Sequence, residues 1–209
     1  MVSILILHPG RCGSHWLLNM LKTLTGLHLY EGYDDGRQIW GTREQMTHGG
    51  LERLRATTDL VFLLRDPRDV LVSMGAYSQN VVQGHFDAEM RSIWQDLGWF
   101  RWYLEMHGQI KHCTVRYEDL WTAPLQTMRV VLAYLGRIVP SDEIIAKVIE
   151  HESFIQRTGR ERGQELASHH LRKGIIGDWK NVWNENTKNQ FDTRFHRELE
   201  ELGYADQVL

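Results

Sequence analysis

Val2-Ser3-Ile4-Leu5-Ile6-Leu7-His8-Pro9-Gly10-Arg11-Cys12-Gly13-Ser14-His15-Trp16 stands near the start of the 209-residue chain. Residues 2–7 are almost continuously apolar, the pattern of a strand buried on both faces of a parallel sheet. Residues 8–14 then break the pattern with Pro and two Gly. From Ser14, the apolar residues Leu17, Met20, Leu21 and Leu24 fall at i, i+3, i+4 and i+7, which predicts a helix that Gly26 ends. The order is strand, glycine-bearing loop, helix.

A second such unit starts at Asp59. Leu60-Val61-Phe62-Leu63-Leu64 reads as a short buried strand, stopped by Arg65-Asp66-Pro67-Arg68-Asp69. Asp66 suits the cap of the next helix and Pro67 its first turn, with Val70, Leu71, Met74 and Tyr77 inward. Residues 86–107 read as one long helix or two short ones, and residues 112–116 as a third strand. Pro124 opens a helix with Leu125, Met128, Leu132 and Leu135 inward, closed by Gly136. Ser141 caps another with Ile145, Val148 and Ile149 inward. Residues 157–174 read as a long polar loop, a place where function often sits. A last helix carries Phe191, Phe195, Leu199 and Leu202, with Gly203 after it. Strands alternating with helices indicate an α/β fold around a parallel sheet, with ligands at the carboxyl ends of the strands. Both strand-end loops lie there. No repeat or low-complexity tract interrupts residues 1–209, so a single domain is expected.

Composition narrows the partners. Lys plus Arg is 24 against 27 Asp plus Glu, a net charge of −3. Such a chain is a poor general binder of nucleic acid or membrane surfaces, so an anionic ligand needs locally gathered cations. Two Cys, at 12 and 113, build no disulfide framework and too few ligands for a cysteine zinc site. No apolar run approaches the ~20 residues of a bilayer span, and the first residues lack the basic start of a signal peptide. A reducing, cytoplasmic setting is the expectation. Eight Trp point either to aromatic pockets or to a well-filled core.

A helix N-terminus attracts anions through its free N–H groups and partial positive charge. Gly10 and Gly13 let the backbone wrap closely, Ser14 adds a hydroxyl and Arg11 a cation. The plain alternative is a tight turn with no ligand. The loop is not a Walker A sequence, since G-x-x-x-x-G-K-[ST] occurs nowhere in the chain. A second anion site pairs Arg65, at a strand end, with Ser73, eight positions on. Its alternative is an Arg paired with Asp66 or Asp69.

Four ordered blocks resemble the sulfotransferases that use 3′-phosphoadenosine 5′-phosphosulfate (PAPS), most closely the cytosolic type. Arg11-Cys12-Gly13-Ser14-His15-Trp16 resembles the 5′-phosphosulfate loop. Residues 61–73, ending in Ser73, resemble the 3′-phosphate strand-turn-helix. Arg116-Tyr117-Glu118-Asp119-Leu120 resembles the family's Tyr-Glu-Asp segment. Residues 171–181 resemble the C-terminal R-K-G-x-x-G-D-W-K segment, the most specific block. The resemblance implies a three-layer, P-loop-like α/β fold with helices flanking a central parallel sheet. It implies PAPS as co-substrate, 3′,5′-bisphosphoadenosine as product, and no metal. By position, Arg11 and Lys173 serve the sulfuryl end. Gly13, Ser14 and His15 cradle the 5′-phosphate, and Arg11 and Cys12 of the same loop count among the cofactor-binding residues. Trp16 stacks on adenine, Tyr117 contacts it, and Ser153 with Phe154 flanks it. Arg65 and Ser73 hold the 3′-phosphate, and Arg172, Lys173 and Gly174 close over it. The acceptor is implied to be a hydroxyl or amine on a small molecule, lipid or sugar.

Transfer to a hydroxyl needs one proton removed, and histidine suits that near neutral pH. The family places its base in a K-T-H segment, which Thr47-His48 matches with Met46 in place of Lys. His48 is therefore read as the general base. His8 is its rival, and His169 and His170 sit near the far cations. Other departures are His15 in place of a hydroxyl residue, and Asn184 and Glu185 where the family's dimer motif has Thr and Val. No dimer of that kind is expected, and the oligomeric state stays open. Shortened regions around 27–46 and 78–110 leave Tyr30, Trp40, Tyr77, Phe86 and Trp94 to pack or to line a pocket. Cys12 suggests a loop that oxidation blocks. The competing functions are a small-molecule kinase, disfavoured by the absent Walker lysine, and a nucleotide-binding protein without catalysis.

Overall fold

The computed structural model describes residues 4–26, 30–31, 33–34, 37–38, 59–81, 97–166 and 171–205. Its strands are β1 (Ile4–Leu7), β2 (Tyr30–Glu31), β3 (Tyr33–Asp34), β4 (Arg37–Gln38), β5 (Asp59–Leu64) and β6 (Cys113–Arg116). The central sheet has the order β2-β1-β5-β6 and every pairing in it is parallel. Strands β3 and β4 form a separate antiparallel pair. In β5, Leu60, Val61, Phe62, Leu63 and Leu64 are all buried, which explains the unbroken apolar run. The expected α/β architecture is thus present, and its parallel strands bring the ends of β1, β5 and β6 to one edge.

The helices are α1 (Ser14–Thr25), α2 (Pro67–Val81), α3 (Gly98–Met106), α4 (Tyr117–Thr122), α5 (Pro124–Tyr134), α6 (Asp142–His151), α7 (Phe154–Thr158), α8 (Trp179–Val182), α9 (Glu185–Arg194) and α10 (His196–Leu202). Helix α1 buries Leu17, Leu18, Met20 and Leu21. Asp66 caps α2 as expected, its Oδ1 accepting from the Arg68 N–H at 2.9 Å.

Of residues 86–107, the described part forms α3, and residues 82–96 lie outside the described residues. Trp99, Trp102 and Tyr103 of α3 meet Phe62 edge-on, with ring centroids 6.2, 5.8 and 5.1 Å away. Each such pair contributes about 0.5–1.5 kcal/mol beyond simple burial. These aromatics therefore fill the core rather than a pocket.

The last helix departs from expectation. It breaks at Phe195, where φ is −118° and ψ 23°. The Phe195 N–H still donates to Phe191 O, and Leu199 N–H to Phe195 O, both at 2.9 Å. One residue leaves helical geometry without rotating the apolar face, so Phe195, Leu199 and Leu202 remain buried. Helices α4, α7 and α8 are four to six residues long, too short to show an apolar period. Among the described residues, no helix is long and apolar enough to cross a membrane.

Candidate active site

The loop after β1 takes an unusual path. Gly10, Arg11 and Gly13 all have positive φ, at 81°, 55° and 79°. Left-handed turns of this kind recur where backbone N–H groups gather around an anion, although here the Gly10 N–H is taken by His8 Nδ1 at 3.0 Å. Arg11 is not glycine, so its conformation needs support. Two contacts supply it. The Arg11 carbonyl accepts from Arg65 Nη1 at 2.9 Å, and its own Nε donates to Ser73 Oγ at 3.1 Å. The two anion sites read from the sequence are therefore adjacent. Gly13 caps α1, whose first turn carries no acidic residue. A Cβ on Gly13 would lie 2.7 Å from the Tyr117 ring. Only glycine allows this approach together with its φ.

Arg65 is 8% exposed. Its guanidinium lies 4.4 Å from the Tyr117 ring centroid. Nη2 donates to Ile175 O at 2.8 Å and lies 3.6 Å from Asp69 Oδ2. Its buried Nε has no hydrogen-bond partner. Burial works against the charge on Arg65, but Tyr117 and then Asp69 hold its pKa above the ordinary value. Burial likewise raises the Tyr117 phenol, opposed by Arg65. Ser73 is buried. Because its hydroxyl accepts from Arg11, its own hydrogen is left to donate.

The C-terminal segment docks onto this pair. Asp69 accepts from the N–H groups of Gly177, at 2.7 Å, and Trp179, at 3.0 Å. Trp121 Nε1 donates to Gly174 O at 3.0 Å. A Cβ on Gly174, where φ is 65°, would clash with the edge of the Phe154 ring. Arg172 Nη2 donates to Asp178 Oδ2, and Lys173 Nζ to Asp178 Oδ1 at 3.0 Å. Burial alone would raise the Asp178 carboxyl, yet bonds from Arg172, Lys173 and Asn181 hold it below the usual range.

The remaining site residues take these places. Ser14 is the first residue of α1. His15 is exposed and Trp16 half-buried. The Trp16 ring meets Tyr117 at 6.2 Å, nearly perpendicular. Ser153 caps α7, accepting from Gln156 N–H at 3.4 Å. Cys12 is fully buried and burial pushes its thiol well up. This corrects the oxidation reading, since the reactive thiolate is both suppressed and inaccessible. The Cys12 side chain packs in the core. His8 Nδ1 accepts from Gly10 N–H at 3.0 Å. His48, Met46, His169 and His170 lie outside the described residues, as do Trp40, Phe86 and Trp94. Asn184 caps α9 by accepting from Thr187 N–H at 2.8 Å.

Sequence reading missed four participants. Asp69 and Trp121 fasten the far segment. Arg162 places its guanidinium 5.5 Å from the Trp16 ring and 4.9 Å from that of Trp121. Glu165 contacts both Arg172 and Lys173. Only Asp69, inside a dense Arg/Asp turn, had a local signal.

Buried cations, a helix N-terminus and a left-handed loop thus converge at the carboxyl ends of three parallel strands. Residues 27–203 match the family model described as "Sulfotransferase domain". The chain belongs to the sulfotransferase family. It is 26% identical to rat sulfotransferase 2B1 over 164 residues, which is 68% of this chain and 48% of that protein. It is also 26% identical to sulfotransferase 2A1 of Macaca fascicularis over 245 aligned residues, covering 95% of this chain and 85% of the relative. The chain thus spans about half the length of the first relative and most of the second. Among solved structures, mouse sulfotransferase SULT7A1 complexed with PAP superposes with a TM-score of 0.67 at 18% identity, covering 95% of this chain and 84% of that one. The fold is therefore the P-loop-like α/β fold of sulfotransferases.

Proposed function

We propose that the protein transfers the sulfuryl group of PAPS to a hydroxyl or amine on a small-molecule, lipid or sugar acceptor. The observation that carries this reading is Arg65: a buried guanidinium with an unpartnered Nε, beside the Arg11 loop and Ser73. A phosphate oxygen satisfies that donor. A second buried Nε without a hydrogen-bond partner belongs to Arg172, so the residues suit a ligand with anionic groups.

When bound, PAPS supplies the sulfuryl group and a phosphate leaving group. Arg65 and Ser73 hold the 3′-phosphate, each charge-assisted bond contributing about 1.5–3 kcal/mol. Arg172, Lys173 and the Gly174 backbone close over it. The N–H groups from Cys12 to His15 at the start of α1 hold the 5′-phosphate. Arg11 offsets the charge that grows on the leaving oxygen. Trp16, Tyr117, Ser153 and Phe154 flank the adenine. His48 takes the acceptor's proton as that acceptor attacks in line. The residues present call for no metal ion in these roles.

The test is transfer of radiolabelled sulfate from PAPS to a broad acceptor panel, with chelator present. The expected result is a sulfated product without Mg²⁺. His48→Ala should abolish transfer while leaving bisphosphoadenosine binding within about threefold, a loss confined to proton removal. No product from any acceptor would sink the reading. Transfer unchanged in His48→Ala would remove His48 as the base.

A further inference from the structure

Two carboxylates already sit on the cations of the far segment. Asp178 is 1% exposed and integral to the fold, binding Arg172, Lys173 and Asn181. Glu165 is different, because its side chain is 40% exposed. Its Oε1 lies 2.8 Å from Arg172 Nη1 and its Oε2 3.2 Å from Lys173 Nζ. One carboxylate thus bridges two cations through separate oxygens, as a phosphate group does.

The contact is built in by the backbone around it. Gly163 N–H donates to Lys173 O at 2.8 Å, and Leu166 N–H to Arg172 O at 3.2 Å. Arg160 Nη1 reaches the carbonyls of Gln164, at 2.6 Å, and Arg172, at 2.8 Å. The stretch 160–166 is thereby laid alongside 171–173. The hydrogen bond from Arg172 lowers the Glu165 pKa, with Lys173 acting in the same direction. The carboxylate is ionised wherever the protein is folded near neutral pH.

We propose that Glu165 is an internal stand-in for the 3′-phosphate of the nucleotide, occupying Arg172 and Lys173 in the unliganded protein and giving them up when that phosphate binds. The inference rests on the assignment of these two cations to the 3′-phosphate. A phosphate dianion beside two carboxylates is repelled by both. Asp178 is locked by burial, so the exposed Glu165 is the one that leaves. Nucleotide affinity is then lower than the cations alone would give, and only for ligands that carry a 3′-phosphate.

Wild type, Glu165→Gln and Glu165→Ala are titrated with 3′,5′-bisphosphoadenosine and with adenosine 5′-phosphate, following tryptophan fluorescence. Both variants should bind the bisphosphate about three- to fivefold more tightly, the upper part of the range for a partly exposed ion pair. Adenosine 5′-phosphate should change by less than about twofold. Equal or weaker bisphosphate binding in the variants overturns the inference, as does the same tightening for both nucleotides. A wild type that binds no bisphosphate brings down the reading of the site itself, and this inference with it.

Discussion

At position 13, a single missing Cβ keeps the anion loop against the sheet edge. Tyr117 occupies the space a side chain would take, and the same ring lies beside Arg65. Gly13→Ala therefore adds a clash to a left-handed φ that costs a non-glycine residue about 1–2 kcal/mol. The variant should lose at least that much stability in urea unfolding and bind bisphosphoadenosine more weakly. Full stability with unchanged binding would show that the loop has another course. The glycine pattern was readable in the sequence, but its reason was not. Tyr117 is far along the chain, and only the meeting of β1 and β6 with β5 brings it near.

At the scale of elements, the segment from Arg172 to α8 is held by charge. Asp178 accepts from both Arg172 and Lys173, and its pKa is lowered in the fold. A carboxyl whose folded pKa is depressed stabilises above its unfolded value of about 3.9, and loses that contribution as pH falls through the folded value. The melting-temperature difference between wild type and Asp178→Asn should be steady near neutrality and shrink below about pH 4. Asp66 and Glu118, raised by burial, act with the opposite sign. They are common to both proteins and cancel in the difference. A gap unchanged down to about pH 3 would mean the ion pairs do not hold the segment. The R-K-G-x-x-G-D-W-K pattern revealed these cations in advance. Its anchor to Asp69 spans more than a hundred positions and leaves no local period to detect. Trp121 reaches Gly174 across 53 positions, and Glu165 lies only seven from Arg172, in a polar stretch with no apolar period to mark the contact.

For the whole molecule, the sequence carried the architecture because β1, β5, α1 and α5 are each long or apolar enough to show their period. It failed where elements are short, as in α4, α7 and α8, or where a single residue breaks a helix, as at Phe195. The site followed the same division. Loop, strand end and far segment were each visible alone, and the fold supplies what joins them: Arg65 bonded to Arg11 and Ile175, and Arg11 to Ser73. Calorimetric titration of 3′,5′-bisphosphoadenosine into wild type and Arg65→Ala tests that junction most directly. The account predicts micromolar binding to wild type and a loss of about 1.5–3 kcal/mol, roughly ten- to hundredfold, in the variant. No binding to wild type, or equal affinity in both proteins, would contradict it.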